Sequence, residues 1–131
     1  MQRMLSEMSD KIAEIKWKDE PADHDYPAAF SYLALIFSDA TAAAMIDRLK
    51  HAPVVEFCAK DIFRASGLPQ LDSTNYHVKK NIAKITVGDK LSPILIIRDT
   101  DHGKVIVADG FHRLCAVRLH DEDAKIPVKI V

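Results

Sequence analysis

The sequence predicts an α+β domain built on a small mixed sheet, and three observations carry that prediction. Helical periodicity fills the stretch from about residue 27 to residue 49. β-rich runs begin only after Pro53 and then alternate with helical segments in the order strand, helix, helix, hairpin, helix, strand. The chain has 131 residues, 48% hydrophobic and 28% charged, with only four glycines and six prolines. That composition is ordinary globular protein, and the length supports one domain around one sizeable core.

Residues 1–25 mix Ile12, Ile15 and Trp17 with many charges and end in Asp23-His24-Asp25, which reads as an arm outside the core. Residues 26–131 form the single domain, with 26–53 a helical addition and 54–131 the core. Pro27 suits a first helical turn, and Ala28 to Phe37 is apolar almost all round, so this helix is expected to be buried on most sides. Ser38 or Asp39 caps a second helix to about Leu49, with Ala42, Met45, Ile46 and Leu49 at i, i+3, i+4, i+7; Pro53 ends it. Val54 to Cys58 reads as a strand, and Asp61 to Ser66 as a short helix stopped by Gly67 and Pro69. Asp72 or Ser73 caps the next helix, whose Val78, Ile82 and Ile85 form a stripe before Gly88 closes it. Pro93 to Arg98 and Val105 to Val107 flank the turn residues 99–103 and predict a hairpin of buried strands. Phe111, Leu114, Cys115 and Leu119 recur at helical spacing directly after Gly110, and Ile126 to Val131 is the closing strand.

Charge and cysteine usage exclude several classes. Residues 1–25 hold four Lys/Arg against seven Asp/Glu and residues 26–131 hold 14 against 12, so neither part is basic enough to mark a nucleic-acid protein. Cys58 and Cys115 lie far apart with neither CxxC nor zinc-type spacing, which argues against a disulfide scaffold or a metal staple. The longest apolar stretch, Tyr26 to Phe37, falls short of the roughly 20 residues that cross a bilayer. The amino terminus lacks the apolar core of a secretory signal, so a cytoplasmic location is expected.

One segment concentrates chemistry: Val107-Ala108-Asp109-Gly110-Phe111-His112-Arg113, a buried strand turning through glycine into a helix. The free N–H groups and positive dipole end of the helix make an anion cradle. Gly110 admits close backbone approach, Arg113 offers a fork of donors to phosphate, and His112 donates a further bond or carries a proton. Asp109 would repel a phosphate unless it acts as a base or holds a metal ion on that phosphate. The bland alternative makes Asp109 an N-cap and Arg113 a surface partner of Asp121 or Glu122.

At these residues the sequence resembles the ParB/sulfiredoxin superfamily. The resemblance spans about residues 54–131: the first strand, the helix around Val78 to Ile85, the Ser-Pro-Ile-Leu-Ile-Ile strand at 92–97, the hairpin, the Asp109 to Arg113 turn and the closing Ile-Pro-Val at 126–128. It implies a ParB/sulfiredoxin-like fold and a nucleotide or phosphate held by Gly110, His112 and Arg113. Sulfiredoxins carry Gly-Cys-His-Arg here, and Phe111 replaces their catalytic cysteine, so sulfinic acid reduction is not expected. The partition branch carries Gly-Glu-Arg-Arg-x-Arg-Ala, of which Gly110, Arg113 and Ala116 remain. The Asp-Gly-His-His-Arg turn of ADP-dependent free-serine kinases matches at four of five positions. Arg64 to Pro69 together with Ala108 to Arg113 is also similar to a group of short uncharacterised bacterial proteins.

Other features have plainer readings. Lys60 to Arg98 carries seven Lys/Arg against three Asp, read as a solvated helix face, with Arg64 the member to associate with a phosphate site. Asp19, Glu20, Asp23, His24 and Asp25 fit no metal loop, so no metal site is expected. Cys115 on the apolar stripe reads as a buried structural thiol. The Ala- and Met-rich helices between residues 28 and 49 either pack on the domain's own sheet or make a homodimer. The expectation is a nucleotide- or phosphate-binding domain. Its phosphate-binding residues are Gly110, Phe111, His112, Arg113 and Arg64, with Asp109 and His112 catalytic if it performs phosphoryl transfer or hydrolysis. A nucleotide with magnesium is the cofactor that would suit such chemistry. The alternative is a non-catalytic binding or interaction module. DNA binding is not expected of this chain alone, since no segment follows the closing strand to build a helix-turn-helix.

Overall fold

A computed structural model describes residues 14–131. It is an α+β arrangement of helices on a four-stranded mixed sheet. In chain order the elements are α1 (Asp25–Leu33), α2 (Asp39–His51), β1 (Val55–Cys58), α3 (Ala59–Ser66), α4 (Tyr76–Val87), β2 (Ile94–Asp99), β3 (Lys104–Asp109), α5 (Phe111–His120) and β4 (Lys125–Ile130). The strands lie in the order β1-β4-β2-β3. β4 runs antiparallel to β1 and parallel to β2, and the β2–β3 hairpin is antiparallel, with a register irregularity between Leu95 and Ile96.

Alternation along the central strands divides the interior. Ile94 and Ile96 of β2, Val107 of β3 and Ile126 and Val128 of β4 face α3, α4 and α5. Leu95, Ile97, Ile106 and Ala108 face α1 and α2. The expectation of one core is therefore corrected to two clusters on opposite faces of one sheet. The unbroken apolar run Ile94 to Ile97 exists because both of its faces are covered.

Capping side chains or closing glycines explain four of the ten ends of the described helices. The Ser38 hydroxyl accepts from Thr41 N at 3.2 Å to start α2. Gly67 and Gly88, both with positive φ, close α3 and α4. Asn75, rather than Asp72 or Ser73, caps α4 by accepting from His77 N and Val78 N. Asp72 instead folds a local turn by accepting from Thr74 N at 2.9 Å. The first helix is also corrected: it ends at Leu33, and only Asp25, Ala29 and Leu33 are buried. A single sheet face covers it, so one i, i+4, i+8 stripe suffices, and Leu35 stands 84% exposed.

The first part of the expected arm, residues 1–13 with Ile12, lies outside the described residues. Its remainder is not outside the core. Ile15 and Trp17 pack against the α3–α5 face, Lys18 N donates to Leu91 O at 2.8 Å, and Leu91 N donates to Lys16 O at 2.9 Å. Further along, Glu20 Oε1 meets the buried Lys129 Nζ at 3.0 Å. These bonds hold Lys18 beside the loop that enters β2. Among the described residues no helix is long and apolar enough to cross a membrane.

Candidate functional site

β3 ends at Asp109, Gly110 turns the chain at φ 102°, and α5 begins at Phe111. No side chain caps this helix end, so the first N–H groups of α5 keep no intrahelical partner. Only glycine fits the turn. A Cβ on Gly110 would lie 2.8 Å from Arg113 Nη2 and 3.0 Å from Ile94 Cγ1, on top of the strain of the positive φ. The closeness of Arg113 to this backbone is what the glycine permits.

Arg113 is committed inward. Its Nη2 donates to Asp109 Oδ2 at 3.0 Å and to Pro93 O at 3.2 Å, and it stands 3.8 Å from Asp25 Oδ2. Asp25, 2% exposed, also accepts from Ala22 N. One guanidinium thus faces two carboxylates brought from α1 and β3. Only Nη2 of the fork expected to grip phosphate is engaged, the buried Nε having no hydrogen-bond partner, and the pairing of Arg113 with Asp121 or Glu122 is not made. Nor is Asp109 an N-cap, because Gly110 occupies that position. Burial pushes the Asp109 carboxyl above the ordinary carboxylate value, while the charge and hydrogen bond of Arg113 oppose the shift.

A cavity of about 270 Å³ opens over this turn, lined by Gly110 to Arg113 and by Asp109 and Asp25. Four lysines converge on it from three segments: Lys18 from the docked arm, Lys80 and Lys84 from α4, and Lys90 from the loop after it. Among the described residues none of the four is paired with a carboxylate. Five cations, counting Arg113, therefore surround two carboxylates, and the carboxylates already share Arg113. The excess positive charge faces open space at a helix N-terminus.

His112 lines the same cavity with its ring 4.8 Å from that of His77. Burial, and then the neighbouring His77, hold the His112 imidazole below its ordinary value, which favours the neutral ring. Phe111 turns toward the interior, its ring 5.9 Å from Phe63, and packs against the α3–α5 core. Arg64 does not join the site. It opens into a separate cavity with Lys60 and Arg118.

Of the sequence-selected residues, Asp109, Gly110, Phe111, His112 and Arg113 come together and Arg64 does not. Sequence reasoning missed Lys18, His24, Asp25, His77, Lys80, Asn81, Lys84, Lys90 and Ser92, all of which line the cavity. Part of this was readable: His77, Lys80, Asn81 and Lys84 fall at i, i+3, i+4, i+7, a polar stripe beside the apolar one at Val78, Ile82 and Ile85. Lys18 left no such signal, because only the contact between Trp17 and Leu91 brings it here. Cys115 is fully buried, and burial raises its thiol above the ordinary value, as suits a packed structural group.

Among the described residues no three or more His, Cys, Asp or Glu side chains stand close enough to hold a metal ion. Neither a family model nor a curated protein nor a solved structure matches the chain.

Proposed function

We propose that the protein binds a nucleotide or another phosphorylated small molecule in the cavity over the Gly110 turn. The observation that carries this reading is the convergence of Lys18, Lys80, Lys84 and Lys90, none paired with a carboxylate among the described residues, on the uncapped N-terminus of α5. Four like charges held close together repel one another, and a polyanion relieves that repulsion. The backbone N–H groups of α5 would receive one phosphate and the lysines would neutralise it. Arg113 takes a different part from the one its sequence position suggests: it holds Asp109 and Asp25, so that two carboxylates can stand near a bound anion. The reading also draws on the resemblance of residues 54–131 to the ParB/sulfiredoxin superfamily. The donor set suits the phosphate itself and does not suit magnesium held by the protein, because both carboxylates near the cavity are already engaged by Arg113.

A catalytic form of the reading rests on Asp109. Its carboxyl lines the cavity and burial raises its proton affinity, which suits a base acting on an attacking hydroxyl or water. His112, neutral and adjacent, would supply a hydrogen bond or a proton. The non-catalytic alternative keeps the same anion site and uses Asp109 only to fix Arg113.

Titration calorimetry with inorganic phosphate, pyrophosphate, ADP and a sugar phosphate tests the site. Lys80→Gln with Lys84→Gln should weaken the best of these at least tenfold, since each charge-assisted bond is worth about 1.5–3 kcal/mol. Unchanged affinity in that double variant would remove the site. A phosphate-release assay on the ligand that binds separates the two forms: in the enzyme, Asp109→Asn abolishes turnover and leaves binding in place, whereas a binding module shows no turnover in the unmodified protein.

A further inference from the structure

The Arg64 to Pro69 segment plays no part in the site above, and the structure gives it a different setting. Here a second cavity of about 500 Å³ opens between α3 and α5, sharing no residue with the first. Ser66, buried, fixes the loop at its edge: its hydroxyl donates to Phe63 O at 2.8 Å and accepts from Leu68 N at 3.2 Å. Gly67 turns the chain at φ 67°, and no atom lies within 4 Å of where its Cβ would be, so this side of the cavity is open.

Three cations line the cavity, and one is held rigidly. Arg118 of α5 lays its guanidinium over the Phe63 ring at 5.1 Å, and its Nη1 donates to Gln70 Oε1 at 3.1 Å. Gln70 is itself fixed by donating to Cys115 O at 3.1 Å. The Arg118 Nε is buried and has no hydrogen-bond partner. Arg64 is exposed and, among the described residues, paired with no carboxylate; Lys60 meets Asp123 at 2.6 Å. Arg64, Arg118 and Lys60 thus line the cavity, with Asp123 bonded to Lys60 and Asp61 near it, beside the 39% exposed Leu68 and the edge of the largely buried Phe63.

We infer that this second cavity is a separate binding site for a small organic dianion, a phosphomonoester or a dicarboxylate, whose apolar part rests on Leu68 against the edge of Phe63. A guanidinium stacked on an aromatic ring and hydrogen-bonded to an amide loses little freedom when it meets an anion, which is the property that distinguishes a site from a scatter of surface charges. Arg64 and Lys60 at the rim add the second charge contact. Because the two cavities share no residue, this site stands or falls independently of the one at Gly110.

Phenyl phosphate and phthalate are suitable probes, the first a phosphomonoester and the second a dicarboxylate. Each is titrated into ¹⁵N-labelled protein while amide shifts are followed by NMR. The expected result is saturable shifts at Gly67, Leu68 and the Gln70 side-chain amide with at least one probe, and whichever binds more tightly identifies the class. These shifts should persist in the Lys80→Gln, Lys84→Gln double variant. Arg64→Gln, at an exposed position that leaves the fold alone, should weaken them about tenfold, the size of one charge-assisted contact. Arg118→Lys keeps the charge and removes the fork, and should weaken them further. Shifts that are linear without saturation, that are confined to residues 110–113, or that are unchanged by Arg64→Gln would each overturn the assignment, whatever happens at the first cavity.

Discussion

Two glycine turns border the two cavities, and they use glycine for different reasons. Gly67 follows α3 with φ 67° and has open space where a Cβ would point, so its glycine answers to backbone conformation alone. Gly110 precedes α5 with φ 102° and has Arg113 and Ile94 pressed against it, so its glycine answers to conformation and to contact together. The first turn ends a helix and leaves a cavity wall vacant. The second starts a helix and brings a guanidinium under the strand end, where it holds two carboxylates. A glycine in a helix-terminal turn is thus weak evidence for a site until its neighbours are known; the crowding at Gly110 ties that turn to Asp109, Arg113 and Asp25.

The largest effect expected from breaking this contrast is at Gly110. Gly110→Ala adds backbone strain and forces Arg113 away, and should cost about 3 kcal/mol from the positive φ and the overpacking together. Phosphate affinity should fall with it, because Asp109 and Asp25 lose their partner beside the cavity. Chemical denaturation and calorimetry on the same sample measure both. A variant as stable as the unmodified protein would show that the turn relaxes freely and that the crowding carries no weight.

Gly67→Ala should do less. The left-handed conformation costs a residue with a side chain roughly 1–2 kcal/mol, and part of that is offset because alanine also restricts the unfolded chain. No contact is added, so the expected loss is about 1 kcal/mol, with phosphate binding at the Gly110 turn unchanged. If the two alanine variants proved equally destabilised, both glycines would answer to backbone conformation alone and the crowding at Gly110 would add nothing.

The same contrast shows what the sequence could reveal. Both turns were legible, since glycine after a helical stripe and glycine between a strand and a helix are local signals. The boundaries of α2, α5 and the hairpin and the end of α3 were legible for the same reason, although α3 starts at Ala59 and not Asp61, and the mixed sheet followed from their order. The α4 cap was not, because Asp72, Ser73 and Asn75 all have capping side chains and only the packing of Val78 and Ile85 decides which one starts the helix. The partners of Arg113 were hidden as well. Asp109 was four residues away and could have been considered, but Asp25 arrives from α1 across the sheet, and long-range pairing leaves no mark in local spacing. Lys18 was hidden most completely, for a charged arm gives no sign of docking until Trp17 is seen against Leu91.

The smallest effect is a change of slope, and it distinguishes the turns because only the Gly110 cavity contains a perturbed imidazole. His112 titrates below its ordinary value of 6.5 in the folded protein, so between the folded and unfolded values the unfolded chain binds more protons. Its contribution to stability is therefore complete above about pH 6.5 and is lost as the pH falls through the folded value. His112→Gln should flatten that part of the acid limb, leaving stability at pH 8 nearly unchanged, as thermal melts across a pH series would show. Inorganic phosphate should act in the opposite sense on the unmodified protein. An anion beside the ring favours the imidazolium, raising the folded value, so phosphate protection against heat should grow as the solution is acidified and should do so less in His112→Gln. Protection that grows equally in both proteins would mean that the proton goes elsewhere, to another group or to the phosphate itself, and that His112 faces the cavity without sensing the charge in it.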